Sequence, residues 1–331
     1  MVKKQIYLLV AVTAVMCVGG GIIFGMSITQ RQDACKTDYT FIDPEPACEK
    51  SERTLTRISA LENKITNSVN YLIADHKAIN ISVFFRDLTS KRWLGVNADE
   101  NFSPGSLLKL PLLVTYYKLA EIEPTVLEEK ITYKQTANGN DLNALENIKP
   151  AVTLKSAETY TVEELINYMV IYSDNNATSL LFDHINPQFL SKVFVDLGVY
   201  LPTSQGFDQD FVSVKTYSGI LRSLYNASYL NRAMSEKALA LLNKSDFKDG
   251  LVSGVPSDIL IAHKFGERSV LDPQTNKVKY VSLHDCGIVY AKRGPYVLCI
   301  MTKGSDFNNL ETVFKTISTA VYNDFYKQSS M

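Results

Sequence analysis

The order of apolar patterns in this chain predicts an α/β domain: an antiparallel sheet flanked by helices, with an all-α lobe inserted between its strands. Three observations carry that expectation. Strand-like runs fall in two blocks, at 81–97 and 259–302. The long stretch between them reads as helix. Both ends of the domain carry apolar stripes at helical spacing, so two terminal helices can cover one face of a sheet built from both chain ends.

Along the chain, the first element is a helix. Leu55, Ile58, Leu61, Ile65, Val69 and Leu72 recur every three or four residues, which makes one face of an amphipathic helix. ISVFFRDL (81–88) and KRWLGVN (91–97) read as a strand pair. An apolar helix comes next in FSPGSLLKLPLLVTYYK (102–118). Thr161 and Glu164 form a capping-box pattern, with Val162, Leu165, Ile166 and Met169 turned inward. SVKTYSGILRSLYNASYL and MSEKALALLNKS are further helices. Strands return in ILIAHKFG (259–266), CGIVY (286–290) and YVLCIMT (296–302), and a last helix carries Phe307, Leu310, Phe314, Ile317 and Val321 on one stripe.

The N-terminus differs from the rest. Lys3 and Lys4 precede an almost unbroken apolar run from Ile6 to Ile28, long enough to cross a bilayer. The charges put residues 1–4 in the cytoplasm and place the chain beyond the run on the other side of the membrane. Residues 5–28 are read as a transmembrane anchor, with a cleaved signal peptide as the alternative; cleavage would leave a secreted protein. Residues 29–52 are a polar spacer, and 53–331 form the domain, with the α/β lobe at 53–103 and 216–331 and the α lobe at 104–215. Over 331 residues the net charge is −1, which excludes a broad basic surface for nucleic acid, and a monomer is the expected state.

Export permits disulfides. Proximity pairs Cys35 with Cys48. If Ala291–Gly294 make a hairpin turn, Tyr290 faces Pro295 and Cys286 faces Cys299. A second bond is then possible by geometry, against the alternative of two buried free thiols. The four histidines have no metal-ligand spacing, so neither a metal nor a cofactor is expected.

The chemistry begins at Ser106 and Lys109. Residues three apart share a helix face. Lys109 also shares a face with Leu112, Leu113 and Tyr116, so it is expected to be buried, with a lowered pKa from desolvation and the helix N-terminus. Such a lysine can act as a base, beside a serine that can act as a nucleophile. First-turn N–H groups lack helical partners and can hold an oxyanion. The plain alternative is a capping serine and a snorkelling lysine. Two further tripeptides weigh against it: Ser173-Asp174-Asn175 at a helix–helix turn, and Lys264-Phe265-Gly266 at the end of a late strand.

In this order, Ser-x-x-Lys, Ser-Asp-Asn and Lys-x-Gly resemble the motif set of the class A β-lactamase family and, more widely, of penicillin-binding serine acyltransferases. FSPGSLLKLP, LINYMVIYSDNNATSLLF, AHKFGE, HDCGIVY and YVLCIMTKG carry the likeness, from about residue 60 to 326. The resemblance implies the β-lactamase-like fold and an acyl-enzyme on Ser106. It implies Lys109 as the proton acceptor, directly or through a relay, and Ser173 as proton donor to the leaving nitrogen. Asn175 would hold Lys109 and the substrate amide, and Lys264 the substrate carboxylate. The N–H groups of Ser106 and Glu267 would form the oxyanion hole, with Phe265 and Gly266 along the substrate. The implied partner is a β-lactam or a cell-wall peptide.

Three departures qualify this. The family's deacylating glutamate comes after Ser-Asp-Asn, yet no glutamate occurs between Asn175 and Ser235; the nearby carboxylates are Asp196, Asp208 and Asp210. Phe265 replaces a usual Thr or Ser, and Cys286 takes a place where some members have arginine. The sequence therefore predicts a class A-type hydrolase with slow β-lactam turnover. The alternatives are a penicillin-binding peptidase or transpeptidase on stem peptides, or a β-lactam-trapping sensor or pseudoenzyme.

Overall fold

The computed structural model describes residues 40–42, 55–135, 141–202, 209–272 and 274–327. The chain divides into Met1–Ser51 and Glu52–Met331, and every described helix and strand belongs to the second unit. The apolar run at 6–28 and the cysteines Cys35 and Cys48 lie outside the described residues. Among the described residues no helix is long and apolar enough to cross a membrane.

Helix α1 (Leu55–Ala74) leads into strands β1 (Asn80–Asp87), β2 (Trp93–Val96) and the short β3 (Asn101–Phe102). A 3-10 turn, Gly105–Leu108, then runs into α2 (Lys109–Ala120). Strand β4 (Lys130–Thr132) pairs with β5 (Thr159–Thr161), ahead of α3 (Val162–Ile171), α4 (Asn175–His184) and α5 (Pro187–Asp196). Strand β6 (Val212–Ser213) pairs with β3, and α6 (Val214–Tyr225) and α7 (Arg232–Leu242) come after it. The chain ends in β7 (Ile261–Leu271), β8 (Val278–Ala291), β9 (Gly294–Gly304) and α8 (Phe307–Lys327).

The main sheet has the order β2-β1-β9-β8-β7, antiparallel throughout. One face packs on the two terminal helices. Leu61, Ile65 and Val69 of α1 and Leu310, Phe314 and Ile317 of α8 share a core with Val83, Leu298 and Ile300. Fully burying one such side chain is worth about 1.5–3 kcal/mol, so these stripes dominate the attachment of both helices. The capping box at Thr161 and Glu164 is formed, with both reciprocal hydrogen bonds.

The β8–β9 hairpin has the register counted from its turn: Tyr290 opposite Pro295 and Cys286 opposite Cys299. The two cysteines are joined as a disulfide. Neighbouring strands hold directly opposed Cα atoms close enough for this bond, and a register slip of one residue would turn one sulfur to the other face.

Candidate functional site

The site forms where the edge strand β7 lies against the 3-10 turn. Two glycines permit the contact. Gly105 has φ +51°, and a Cβ there would meet the Glu267 carbonyl oxygen at 2.7 Å. A Cβ on Gly266 would meet the Pro104 carbonyl at 2.7 Å and the Leu107 nitrogen at 2.9 Å. The backbone of the turn and that of the strand therefore touch without side chains between them. Tyr217 of α6 donates to the Leu107 carbonyl at 3.1 Å, and His284 of β8 bonds the Ser103 carbonyl through Nε2 at 3.0 Å. Both hold the turn in place.

Ser106 sits inside this 3-10 turn and Lys109 opens α2. That differs from one continuous α-helix, and it explains two things. Positions i and i+3 eclipse in 3-10 geometry, so Ser106 and Lys109 share a face. Pro111 then falls in the first turn of α2, where its missing N–H removes no hydrogen bond. Ser106 is half-buried, and its hydroxyl has no hydrogen-bond partner among the described residues.

Lys109 is 3% exposed. Its Nζ donates to the Ser173 carbonyl at 2.6 Å, to Ser173 Oγ at 2.9 Å and to Asn175 Oδ1 at 2.7 Å. Burial pulls its pKa down to about 7, against the opposing pull of Glu146, Asp174 and Glu267. The expectation of a buried lysine with a lowered pKa holds. Its hydrogen bonds, however, run to Ser173 and Asn175 and not to Ser106.

Ser173 is held in the left-handed region, at φ 59°. That conformation costs a serine about 1–3 kcal/mol and turns its carbonyl and hydroxyl toward Lys109 together. Asp174, fully buried, offsets part of this by capping α4: it accepts from the Ala177 nitrogen at 2.9 Å and the Leu154 nitrogen at 3.2 Å. Lys264, 0% exposed, reaches the same Ser173 Oγ at 3.1 Å and the Phe265 carbonyl at 3.0 Å. Burial, and then the nearby Lys109, push its pKa well below the usual lysine value. A serine hydroxyl accepts at two lone pairs and donates once. Here two lysine Nζ atoms occupy the acceptor side of Ser173 Oγ, so its own proton is left for another acceptor.

Phe265 corrects the expectation that it lies along the substrate. Its ring is 3% exposed, stacked on Phe247 at 4.2 Å between centroids, with the Lys264 ammonium 4.1 Å above it. It belongs to the core that packs on α8. Strand alternation sends Lys264 and Gly266 to one side and Phe265 to the other. Cys286, opposite Lys264, is buried in its disulfide.

No sequence motif marks the loop DLNALENIKP (141–150), yet it forms one wall of the site. Asn143 Oδ1 accepts from the Asn175 nitrogen at 2.8 Å, and Asn176 Nδ2 donates to Asp141 Oδ1 at 2.8 Å. Asn175 Nδ2 donates to Glu146 Oε1 at 2.5 Å. At its other end the loop reaches β7: Asn147 Nδ2 donates to Glu267 Oε2 at 2.7 Å, and the Ile148 nitrogen to Glu267 Oε1 at 2.6 Å. The loop thus ties the Ser-Asp-Asn turn to the strand of Lys264. The aspartates that come after that turn lie elsewhere. Asp196 pairs with Lys192 and Tyr229, and Asp210 bonds the Ser103 nitrogen and Lys303; Asp208 is outside the described residues.

Residues 60–325 match the family model described as the Beta-lactamase enzyme family. No curated protein matches the chain. Among solved structures, PBP-A is 22% identical with a TM-score of 0.67, over 84% of this chain and 99% of that one. A second PBP-A structure, of a point mutant, is an acyl-enzyme complex with penicillin G and has the same identity, coverage and TM-score. A β-lactamase from Sphaerobacter thermophilus is 17% identical with a TM-score of 0.64, over 80% of this chain and 97% of that one. These likenesses establish the fold.

Proposed function

Because this chain belongs to the Beta-lactamase enzyme family, we propose that it is a serine hydrolase acylated on Ser106, opening β-lactam rings and releasing the acyl group slowly. The observation that carries this reading is the network in which Lys109 and Lys264 converge on Ser173 Oγ.

Those contacts support the following order of steps. Neutral Lys109 takes the Ser106 proton as Oγ bonds to the lactam carbonyl carbon; a water bridging the two side chains can carry the proton. The oxyanion is held by the N–H groups of Ser106 and Glu267. As the C–N bond breaks, Ser173 gives its proton to the ring nitrogen and recovers one from Lys109. Water then attacks the ester and restores Ser106. Slow release is supported by the segment after Ser-Asp-Asn, which carries no glutamate up to Ser235.

The apolar run at 6–28, with Lys3 and Lys4 ahead of it, supports a catalytic domain outside the cytoplasm, tethered by that run or released by its cleavage. A second reading, a penicillin-binding peptidase or a sensor that keeps its adduct, draws on the same missing glutamate.

The test is to add a fluorescent penicillin to the full chain and track intact mass over time. A mass increase that appears and decays, and is absent in Ser106→Ala, supports slow hydrolysis. An adduct that never decays transfers the reading to the peptidase or sensor. No adduct at all sinks every β-lactam reading.

A further inference from the structure

Four carboxylates and two lysines crowd this site, and their hydrogen bonds do not treat them alike. Asp174 is used by the α4 cap and the Leu154 nitrogen. Glu267 is used by Asn147 and Ile148. Asp285 is held by His263 Nδ1 at 2.9 Å and the Leu251 nitrogen at 2.8 Å, on the core side with Phe265. Glu146 differs from these. It bonds the amide of Asn175, whose other end receives Lys109 Nζ. Its charge also helps to raise the pKa of Glu267, after burial. A line of bonds therefore runs Glu146–Asn175–Lys109–Ser173–Lys264.

We propose that Glu146, entering from the loop ahead of Ser-Asp-Asn, is the carboxylate of this acylation site: it orients the Asn175 amide and serves as the counter-charge of Lys109. It is a positioning residue, acting through Asn175 and through space, and the proposal rests on the acylation reading above. The physical need is plain. Two lysine Nζ atoms meet at one hydroxyl in a buried place, and a positive charge on either disfavours a charge on the other unless an anion stands near. The segment after Ser-Asp-Asn supplies no glutamate, while the loop before it does. An Asn side chain has two faces, carbonyl and NH₂. With Glu146 on the NH₂ face, the carbonyl is kept toward Lys109, and flipping the amide would set NH₂ against an ammonium.

The groups facing Lys109 are Glu146 from the loop, Asp174 from the turn, and Glu267 and Lys264 from β7. Of the three carboxyl groups Glu146 exerts the largest upward pull on the Lys109 pKa. Removing it should make Lys109 a weaker base that is neutral at lower pH.

The test uses the full chain carrying lysine labelled with carbon-13 at Cε, with the Lys109 resonance assigned by its loss in Lys109→Arg. Wild type should titrate near pH 7. In Glu146→Gln the midpoint should fall by about one pH unit, tenfold in protonation, as expected for losing a nearby opposite charge. Glu146→Asp should fall by less. An unshifted midpoint in Glu146→Gln overturns the proposal. If that variant loses its near-UV circular dichroism, the neutral Glu146→Ala takes its place, and an unshifted midpoint there overturns the proposal equally. Penicillin labelling on the same samples keeps the two ideas apart. A wild type that never labels removes the β-lactam reading, while the lysine titration still judges Glu146.

Discussion

Lys109 Nζ lies 2.9 Å from Ser173 Oγ, and that contact, joining the start of α2 to the turn before α4, organises the site. Both residues are buried, and Lys264 closes on the same oxygen from β7 at 3.1 Å. The two residues to which the proposed mechanism gives the roles of base and proton donor are thus in contact in the protein alone.

The base should show itself in the pH dependence of acylation. Burial sets the Lys109 pKa at about 7, and only the neutral amine can accept the Ser106 proton. The acylation rate is expected to fall tenfold per pH unit below about 7 and to level off above it. Lys109→Ala should lose about 10²–10⁴-fold. Stopped-flow labelling with fluorescent penicillin across pH checks both; a flat profile would remove Lys109 as the base.

The close approach at Gly105 predicts a coupled defect. Gly105→Ala forces a side chain into a left-handed residue and onto the Glu267 carbonyl, 2.7 Å away. The expected loss is about 1–3 kcal/mol of stability, with a further drop in acylation at temperatures where the protein remains folded. Urea unfolding and labelling rates measure the two effects.

Phe265→Thr tests which way that side chain points. The ring is stacked on Phe247 in the core, so truncation should cost about 3 kcal/mol through the cavity it leaves. Affinity for a β-lactam carboxylate should not rise. Improved second-order labelling by this variant would mean that residue 265 reaches the cleft.

The Cys286–Cys299 bond closes a hairpin with a separation of 13 residues. The chain-entropy account assigns such a loop about 3 kcal/mol. The Cys286→Ala, Cys299→Ala double variant should therefore unfold at lower urea, and reductant should shift the wild type but not the variant.

His284 gives stability a pH dependence. Burial lowers its pKa from 6.5 to about 4, and the neutral ring uses Nε2–H toward the Ser103 carbonyl while Nδ1 accepts from the Thr302 nitrogen. Between those two values the unfolded chain binds a proton that the folded chain does not. Stability is thus complete above about 6.5 and falls as pH drops toward 4. The loss is about 3 kcal/mol. His284→Gln should flatten that part of the slope in urea midpoints taken from pH 4.5 to 7.

Several features needed only the sequence. The stripes of α1 and α8, the capping box at Thr161 and the Cys286–Cys299 register are written in short spacings along the chain. Periodicity and turn counting report on near neighbours in sequence, so these elements were legible. The residues proposed for acylation could be picked out from three short motifs in order. Other features depended on contacts across long separations. Asn80 pairs with Lys303, and Glu146 meets Asn175. The side to which Phe265 turns depends on Phe247 and the terminal helices. Sequence determined which chemical groups this chain carries and which helices and strands hold them. Tertiary structure decided which groups face one another, because burial, counter-charge and hydrogen-bond geometry exist only once distant segments are packed together.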